Sequence, residues 1–592
     1  MKLVIVGGVA GGASAAARIR RLDEQAEIII LERTQFVSYA NCGLPYYVGE
    51  VITDKKKLTL QTPESFSKRF NIEVRVRHEV EAIDRASKTL RVCNLDEECV
   101  YSESYDILIL SPGAQPLKPP VPGIQSERIF TLRSVEDTFK IKEFCDKYRS
   151  ATRKKTEAQG VGQSQSLGQQ KTLVQKNPDQ QGANGLCLAH ALVIGGGFIG
   201  LEMAENLVER GFKVTILQRS KQLMPPLDFD MASFVHDYMR SRGIELRFSQ
   251  HIQAFETKED SVCVKLESND SISADFAIMA VGVVPDSHLA REAGLNLGSR
   301  GAIRVDAHMR TSDPFIYAVG DAIEFKNYVT DQSVVTALAG PANKQGRIAA
   351  DNICGISRKF SGAQGSCVLK LFDMCIASTG INEKTALSLG LSYDKVITSS
   401  PSHASYYPGA STMTIKTLFD SQSGRILGAQ IVGFEGVDKR IDVIAVALRA
   451  KMTSTDLAEL DLAYAPPFSS AKDPVNMAGF VIENIREGFI KQVHWHEIAD
   501  LQKQQAQLIN VATAREFAEG HIEDSINIPL DELRDRIEEI DRSKPVYLYC
   551  FSGLRSYIAN RIVAGYGIDS YNLSGGYRFY RQVISELSKQ AI

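Results

Sequence analysis

The sequence predicts an α/β protein of several domains, on three observations. Two stretches, at residues 3–15 and 191–200, each carry an apolar strand, a glycine-rich turn and the start of a helix. This pattern is typical of a Rossmann-like dinucleotide-binding unit. Near the C-terminus, apolar strands at 507–511 and 546–549 again alternate with helical segments, which indicates a further α/β domain. A chain of 592 residues is too long for one core, so we expect three or four domains.

Composition and charge exclude several classes of protein. A net charge of −3 gives no broad attraction to nucleic acid or to an anionic membrane. No segment reaches the roughly 20 apolar residues of a membrane span, and the first strand runs into Gly7-Gly8 too early for a signal peptide. The ten cysteines show neither CxxC pairs nor zinc-like spacing. We therefore expect a cytoplasmic protein without a disulfide framework, metal site, nucleic-acid partner or membrane partner.

The first dinucleotide-binding unit begins at Leu3. Its glycine turn and helix N-terminus are placed to face a pyrophosphate. Glu32 ends the next strand about 20 residues later, which suits a ribose hydroxyl pair. Val9 replaces the middle glycine of the G-x-G-x-x-G pattern, so a dinucleotide fold with another ligand is the alternative. The predicted cofactor contacts in this unit are Gly7, Gly8, Ala10, Gly11, Gly12, Glu32, Arg33, Ser111 and Gly113.

The second unit carries a complete G-x-G-x-x-G between strand and helix. Its second strand ends in Gln218-Arg219. An acid there would favour NADH, whereas Arg219 suits the 2′-phosphate of NADPH, so the sequence leaves both nicotinamide cofactors open. The predicted cofactor contacts in this unit are Gly195, Gly197, Gly200, Gln218 and Gly282.

A later strand ends in Gly320-Asp321. We expect Asp321 to bind a ribitol hydroxyl, and a helix that starts next to it to face the flavin pyrophosphate. Two nucleotide-binding units together with this Gly-Asp element predict FAD and a nicotinamide donor.

The stretch from Ser38 to Tyr46 follows the first unit and would place Cys42 close to the flavin. Gly43 allows close backbone approach, and Pro45 suits the first turn of a helix. A helix N-terminus stabilises a thiolate, the reactive form of cysteine. The alternative is a structural cysteine buried in a turn. We interpret Cys42 as the catalytic cysteine.

Three further regions carry candidate functions. Residues 149–185 are rich in Gln, Gly, Ser and Lys, which indicates a flexible insertion. The α+β segment at 362–488 contains tyrosine-bearing turns at 403–409 and 462–468, for which packing is the alternative reading. Cys550 ends a strand and precedes a short glycine-containing loop, where backbone N–H groups can hold a thiolate or persulfide beside Arg555.

Taken together, these motifs resemble a known family. Residues 1 to about 490 resemble the single-cysteine pyridine nucleotide–disulfide oxidoreductases, specifically the coenzyme A-disulfide reductases. Residues 497–592 resemble a rhodanese domain, through Gly520-His521-Ile522 and the loop from Cys550 to Arg555. The whole resembles fusions of the two, including the NADH-dependent persulfide reductases. The domains implied are 1–145 and 286–345 for FAD, 146–186 for the insertion, 187–285 for NAD(P)H, 346–490 for dimerisation and 497–592 for the rhodanese domain.

The resemblance also implies roles for individual residues. Cys42 would cycle through a mixed disulfide with coenzyme A, and Cys550 would carry sulfane sulfur with Arg555 beside it. Tyr406 and Tyr464 would reach the active site from the partner subunit of a homodimer. The implied coenzyme A contacts are Arg18, Arg21, Ser38, Asn41, Lys439 and Arg440.

Two departures from the resemblance matter. Asn510 and Ala512 replace the Asp and Arg common in a rhodanese Asp-Val-Arg segment. The two changes therefore affect the segment that would support the Cys550 loop. No second cysteine lies near Cys42, which excludes the dithiol mechanism of the glutathione reductases.

The leading hypothesis is a flavin-dependent NAD(P)H reductase of coenzyme A disulfide, coenzyme A persulfide or polysulfide. One alternative is a peroxidase- or oxidase-type flavoenzyme, in which Cys42 cycles through a sulfenic acid. The other is a sulfur-carrier or redox-sensing protein. The rhodanese-like domain favours sulfur chemistry over oxygen chemistry, and the tyrosine pair favours turnover over sensing.

Overall fold

The computed structural model describes residues 1–158 and 189–591, with side chains for 1–148 and 189–590. They fall into two compact units, the first from 1–220 with 241–363 and the second from 221–240 with 364–592.

The first unit contains two five-stranded parallel sheets, which confirms the two predicted Rossmann-like domains. In spatial order, the first sheet is formed by Ile316–Ala318, Ile107–Leu110, Lys2–Val6, Glu27–Glu32 and Glu73–Val76. The second sheet is formed by Glu245–Arg247, Lys213–Leu217, His190–Ile194, Phe276–Met279 and Ile129–Thr131. The inner strands are buried and mostly apolar, as expected of a parallel sheet, whereas the edge strands Glu73–Val76 and Glu245–Arg247 alternate charged and apolar residues.

Smaller sheets and seven helices complete the described part of this unit. The three-stranded antiparallel sheets are His78–Asp84, Thr89–Asn94 and Cys99–Ser104, and Ile252–Lys258, Ser261–Leu266 and Ser271–Ala274. The remaining strands are Ala114–Pro116 with Val283–Pro285, and Ile303–Arg304 with Ile323–Lys326 and Ser333–Val334. The helices are Ala10–Leu22, Leu44–Val48, Pro63–Phe70, Val135–Ala158, Phe198–Glu209, His288–Glu292 and Ala339–Ile353.

The helix Val135–Ala158 includes the first part of the predicted flexible insertion, residues 146–158. The other residues of that insertion, 159–186, lie outside the described residues.

Helices Ala10–Leu22 and Ala339–Ile353 pack together over the first sheet. Their backbones approach closely at glycines, since a Cβ on Gly346 would lie 2.3 Å from the carbonyl oxygen of Gly11. Any larger residue at Gly346 would therefore push the helices apart.

The second unit contains one antiparallel and one parallel sheet, each of five strands. The antiparallel sheet has the spatial order Cys367–Leu371, Met374–Gly380, Ile426–Gly433, Thr412–Asp420 and Tyr393–Pro401. The parallel sheet has the order Lys491–Val493, Ser570–Leu573, Val546–Tyr549, Gln507–Asn510 and Ile526–Asn527. The helices are Phe229–Ser241, Glu383–Ser388, Val437–Arg449, Ser454–Glu459, Pro474–Arg486, Ile498–Lys503, Ala514–Glu519, Leu554–Gly565 and Gly576–Ala591. Within the described residues, no helix combines the length and apolar character needed to cross a membrane.

Residues 221–240 fall between two strands of the first unit in sequence but belong to the second unit. One reason is a buried charge cluster around Lys416, whose ammonium lies 2.8 Å from Asp230 and 3.0 Å from Asp228 and also pairs with Glu383. Burial alone would lower the pKa of Lys416, but these carboxylates outweigh it and raise the pKa. Breaking such a cluster would leave buried charges uncompensated.

A second buried network ties helix Phe229–Ser241 to the C-terminal helix Gly576–Ala591. The amide of Leu223 donates to Nε2 of His236 at 3.0 Å, so the ring is neutral and its Nδ1–H donates to Glu586 at 3.1 Å. His236 and Glu586 both have fully buried side chains, and Arg240 also donates to Glu586. Burial would raise the pKa of Glu586, but His236 and Arg240 hold it at about 2.

Candidate active site

The first glycine turn has no room for side chains on its inner face. Gly7 has a φ of +93°, and a Cβ there would lie 2.1 Å from the carbonyl oxygen of Ser111. A Cβ on Gly12 would lie 2.0 Å from the carbonyl oxygen of Gly7. The Ser111 hydroxyl accepts from the Gly12 amide at 3.1 Å. The structure therefore brings Gly7, Gly12 and Ser111 together at the start of helix Ala10–Leu22, where Ala10 is the first residue.

Glu32 and Arg33 end the second strand beside this turn. Glu32 is buried, and its carboxylate accepts from the Gly8 amide at 3.1 Å and from the Thr34 amide at 3.0 Å. Arg33 is exposed and pairs with Asp286 at 2.8 Å. Of the two, Glu32 is the one fixed against the glycine turn.

Asp321 and Gln345, from two other segments of the first unit, carry polar groups suited to FAD. In the described residues, Asp321 has no side-chain hydrogen bond, and burial raises its pKa. Gln345 accepts from the Gly320 amide at 2.9 Å, while its buried Nε2 has no partner. A bound ligand with hydroxyl and phosphate groups would satisfy both, so these residues fit FAD.

The local structure after Asp321 differs from the expectation. Residues 320–322 form a single 3₁₀ turn that leads into strand Ile323–Lys326, so no helix starts there. The Gly-Asp element therefore supplies a carboxylate and backbone amides rather than a helix N-terminus.

The second glycine turn repeats the first. Gly195 has a φ of +107°, and a Cβ on Gly200 would lie 2.0 Å from its carbonyl oxygen. Gly197 precedes helix Phe198–Glu209, and Gly282 has a φ of +111° with open space around it. Gln218 accepts from the Gly196 amide at 3.0 Å, the position that Glu32 occupies in the first turn.

Cys42 lies in a 3₁₀ turn, Asn41–Gly43, directly before helix Leu44–Val48. The residue is exposed and its thiol is free. Partial burial of the sulfur, together with Glu202 and Asp321, raises the pKa of the thiol. Cys42 thus lies before a helix N-terminus, as the sequence predicts, and the two carboxylates and desolvation act against ionisation of its thiol.

One of those carboxylates, Glu202, belongs to helix Phe198–Glu209 of the second dinucleotide-binding unit. The Tyr46 hydroxyl donates to Glu202 at 3.2 Å. Burial, with Glu205 adding to it, raises the pKa of Glu202 to about 7, against an opposing contribution from Tyr46. Glu202 thus changes charge in the physiological pH range, close to Cys42. The sequence reasoning missed this contact, because 156 residues separate the partners.

A cavity of about 400 Å³ lies along helix Ala10–Leu22, and it brings together three of the predicted coenzyme A contacts. Its lining includes Arg18, Arg21 and Ser38, but not Asn41, which is exposed nearby in sequence. Arg18 pairs with buried Asp351 at 2.7 Å, whereas Arg21 is exposed. The lining residues that sequence reasoning missed are Arg347, Asn343, Gln61, Phe66 and Phe70. Guanidinium groups beside aromatic rings suit a phosphorylated nucleoside.

The two tyrosine-bearing turns meet in the second unit. The Tyr406 and Tyr464 hydroxyls lie 2.9 Å apart, and both side chains are exposed, at 74% and 48%. The turns are tied through the Ala404 amide, which donates to Pro466 and Ser469. The hydrogen bond to Tyr464 raises the pKa of Tyr406.

Lys439 and Arg440 line a second cavity, of about 510 Å³, together with Tyr464. Arg440 is only 1% exposed, and its guanidinium donates to Asp473 at 3.0 Å and to Ser469 at 3.0 Å. These contacts favour a structural role for Arg440. Lys439 is the partly exposed cation of this cavity.

Cys550 ends strand Val546–Tyr549, and its sulfur is fully buried at the base of the following loop. The Gly553 amide donates to Sγ at 3.2 Å, and the Ser556 hydroxyl lies 3.5 Å from it. Gly553 has a φ of +99° and precedes helix Leu554–Gly565. The sulfur therefore receives hydrogen bonds of the kind that stabilise an anion.

Two features of this domain bear on the Cys550 loop. Arg555 forms a bidentate pair with Glu516, both bonds being 2.7 Å long. Asn510 is buried, and its side chain accepts from the Ala512 amide at 2.7 Å. Asn510, in place of the usual Asp, can therefore still hold the backbone of residues 510–512 beside the Cys550 loop.

Comparison with known proteins places this geometry in a family. Residues 1–346 match the pyridine nucleotide-disulphide oxidoreductase model, 367–474 match the dimerisation domain of the same family, and 495–582 match the rhodanese-like domain. The chain belongs to the pyridine nucleotide-disulphide oxidoreductases. It is an oxidoreductase, and its dimerisation domain indicates a homodimer.

One relative and two solved structures are similar to most of this chain. Coenzyme A disulfide reductase of Staphylococcus aureus strain JH9 is 35% identical over 480 residues, which cover 81% of this chain and 99% of the relative. The crystal structure of reduced CoADR-RHD from Bacillus anthracis is 46% identical with a TM-score of 0.91, covering 99% of this chain and 98% of that one. The NAD-dependent persulfide reductase from A. fulgidus is 36% identical with a TM-score of 0.86, covering 98% and 100%. The predicted resemblance to coenzyme A-disulfide reductases fused to a rhodanese domain is confirmed.

Proposed function

We propose that this protein is a flavin-dependent NAD(P)H reductase of coenzyme A disulfide and coenzyme A persulfide. Cys42 is its redox-active cysteine, and Cys550 carries sulfane sulfur. The observation that carries the proposal is the cavity lined by Arg18, Arg21 and Ser38. Guanidinium groups suit the phosphates of coenzyme A, and Ser38 precedes Cys42 by four residues in the sequence.

Cofactor binding is proposed for the two glycine turns. Gly7 to Gly12, Glu32, Ser111 and Asp321 would hold FAD, and the turn around Gly195 to Gly200 with Gln218 would hold the nicotinamide nucleotide. When bound, FAD supplies the path for two electrons from NAD(P)H to a disulfide on Cys42.

The chemistry of Cys42 follows from thiolate attack on a sulfur–sulfur bond. The thiolate attacks one sulfur of coenzyme A disulfide, forms the Cys42–coenzyme A disulfide and releases a coenzyme A thiolate. With coenzyme A persulfide, attack on the inner sulfur gives the same mixed disulfide and releases hydrosulfide. Reduction of the mixed disulfide by two electrons then frees coenzyme A and restores Cys42.

Tyr406 and Tyr464 are proposed to protonate the leaving thiolate at the active site of the partner subunit. Their exposure and their mutual hydrogen bond support this role, because an exposed hydroxyl pair at a dimerisation domain is available to a second chain.

The test is the variant Cys42→Ser. We expect it to retain FAD and to lose reduction of coenzyme A disulfide and persulfide, measured as NAD(P)H oxidation. The matched control is Cys99→Ser, an exposed cysteine of the same unit. Mass spectrometry of the purified wild-type protein should find a coenzyme A adduct on Cys42. Substantial turnover by Cys42→Ser would contradict the single-cysteine mechanism.

A further inference from the structure

The loop that holds the Cys550 sulfur contains one charged residue, and its charge is already balanced. Residues 550–555 include only Arg555 as an ionisable group besides the cysteine. Its two terminal nitrogens donate to the two carboxylate oxygens of Glu516, both at 2.7 Å. A fork-to-fork pair of this kind fixes the orientation of both partners. A ligand that binds at Cys550 therefore approaches an arginine whose positive charge is already paired with the carboxylate of Glu516.

Glu516 keeps its negative charge at all physiological pH values. Its carboxylate accepts from Arg555 and also from the Thr513 amide at 3.0 Å and the Thr513 hydroxyl at 2.8 Å. The Arg555 bonds are the main reason that the pKa of Glu516 is held at about 2. The bonds to Thr513 also cap helix Ala514–Glu519, so the carboxylate is held in place from both sides.

Arg555 in turn belongs to the same loop as the Cys550 sulfur, and the hydroxyl of the next residue, Ser556, lies 3.5 Å from Sγ. Arg555 is therefore part of the wall of the sulfur site. Glu516 is the main cause that raises the pKa of Arg555, and Cys550 adds to it. A negatively charged donor that approaches Cys550 gains the attraction of Arg555 and suffers the repulsion of Glu516.

The rest of the loop presents apolar groups. Phe551 is 45% exposed and Leu554 is 58% exposed, next to the fully buried Cys550. Ile558, one turn further along helix Leu554–Gly565, is 42% exposed. Apolar side chains around a small polar centre suit a ligand of low charge.

We propose that Cys550 takes sulfane sulfur from donors that carry at most one negative charge, and that Glu516 is the specificity-determining residue that disfavours dianionic donors such as thiosulfate. This inference rests on the proposed function, in which Cys550 carries sulfane sulfur. It adds the chemical class of the donor and the residue that selects it.

Two donors test the effect of charge at nearly constant shape. Thiosulfate is a dianion, and methanethiosulfonate is a monoanion with the same sulfonyl–sulfur centre. In each case the Cys550 thiolate attacks the outer sulfur, and the bond from that sulfur to the sulfonyl sulfur breaks. The products are the Cys550 persulfide anion with sulfite from thiosulfate, or with methanesulfinate from methanethiosulfonate. The transfer needs no external oxidant or reductant.

The experiment measures sulfur loading on Cys550 in the full-length protein without nicotinamide, by mass spectrometry of the Cys550 peptide. We expect the wild type to load from methanethiosulfonate at least ~10-fold faster than from thiosulfate, since like charges repel strongly at short range. Glu516→Gln should raise the thiosulfate rate about 10-fold and the methanethiosulfonate rate only about 3-fold, because the repulsion scales with the charge of the donor. Glutamine retains an acceptor for Thr513, and methanethiosulfonate loading no slower than in the wild type shows that the variant is folded.

The matched control is Glu519→Gln, which removes the same charge from the same helix. Glu519 is exposed and pairs with Arg515 at 3.1 Å, away from Arg555. This control should keep the wild-type preference. Equal loading from both donors in the wild type, or equal effects of Glu516→Gln and Glu519→Gln, would overturn the selectivity while leaving the carrier role intact. Loading from neither donor would overturn the carrier role and the selectivity together.

Discussion

The Cys42 thiol lies near a carboxylate that titrates close to neutral pH. Glu202 has a pKa of about 7 because it is buried, and its charge is one of the causes that raise the pKa of Cys42. Below that pH Glu202 is neutral and leaves the thiolate undisturbed. Above it the ionised carboxylate opposes thiolate formation. The two groups therefore titrate as a pair.

Replacement of Glu202 by Gln should make Cys42 more acidic. The variant removes a negative charge near the sulfur, so the midpoint of Cys42 alkylation should move to lower pH by about one unit. The measurement is the rate of iodoacetamide labelling of Cys42 against pH.

The control for this prediction is Glu209→Gln, an exposed carboxylate on the same helix, Phe198–Glu209. Its alkylation profile should match the wild type. An unshifted profile for Glu202→Gln would show that burial and Asp321, and not Glu202, raise the pKa of Cys42.

At the scale of single residues, local patterns predicted where the candidate cysteines lie, but not the charged groups around them. Cys42, Cys550 and the glycine turns follow from local patterns, because a turn before a helix is encoded by adjacent residues. The pairing of Tyr46 with Glu202 joins two separate dinucleotide-binding units, and that of Arg555 with Glu516 joins the first turns of two helices. Such contacts depend on tertiary packing and leave no periodic signal in the sequence.

Among the elements, the two tyrosine-bearing turns form the most direct link between local structure and the proposed chemistry. Neither turn belongs to a helix or strand, yet the Ala404 amide ties one to the other through Pro466 and Ser469. This backbone contact holds together the two turns whose tyrosine hydroxyls lie 2.9 Å apart. The sequence predicted both turns, but not that they meet.

The double variant Tyr406→Phe with Tyr464→Phe should slow substrate reduction by ~10²–10⁴-fold, since it removes the proposed proton donors. Reduction of the bound flavin by NAD(P)H should be unchanged. Stopped-flow measurement of the two half-reactions separates these effects.

Tyr407→Phe serves as the control, because Tyr407 is exposed in the same turn. It should leave both half-reactions at wild-type rates. If the double variant slowed both half-reactions, or neither, the tyrosines would be packing residues.

At the scale of the whole molecule, the fold class and the kinds of domain were predicted from the sequence. Parallel apolar strands with glycine turns identify the dinucleotide-binding domains. Residues 221–240 belong to the second unit for a reason the local sequence does not show, namely their contacts with Lys416 and Glu586, far along the chain.

The homodimer provides a test of shared active sites. If Tyr406 and Tyr464 serve the partner's Cys42, mixing the Cys42→Ser chain with the doubly substituted tyrosine chain should restore activity. Half of the randomly formed dimers are mixed, and each has one intact site, so about a quarter of wild-type activity is expected.

The measurement is NADH-dependent reduction of coenzyme A disulfide after the two variants are unfolded together and refolded. Each variant refolded alone is the control. Activity no greater than the sum of the two controls would place the tyrosines and Cys42 of each site on one chain.

The buried contact between helices Phe229–Ser241 and Gly576–Ala591 has a consequence for protein engineering. A gene shortened to end after residue 490 would encode a protein in which Phe234, His236 and Arg240 lose the cover of Phe579 and Glu586. The exposed ring would promote self-association, and the arginine would lose its ion pair with Glu586. A minimal flavin-only version of this protein therefore needs new polar residues on helix Phe229–Ser241, and cannot be made by truncation alone.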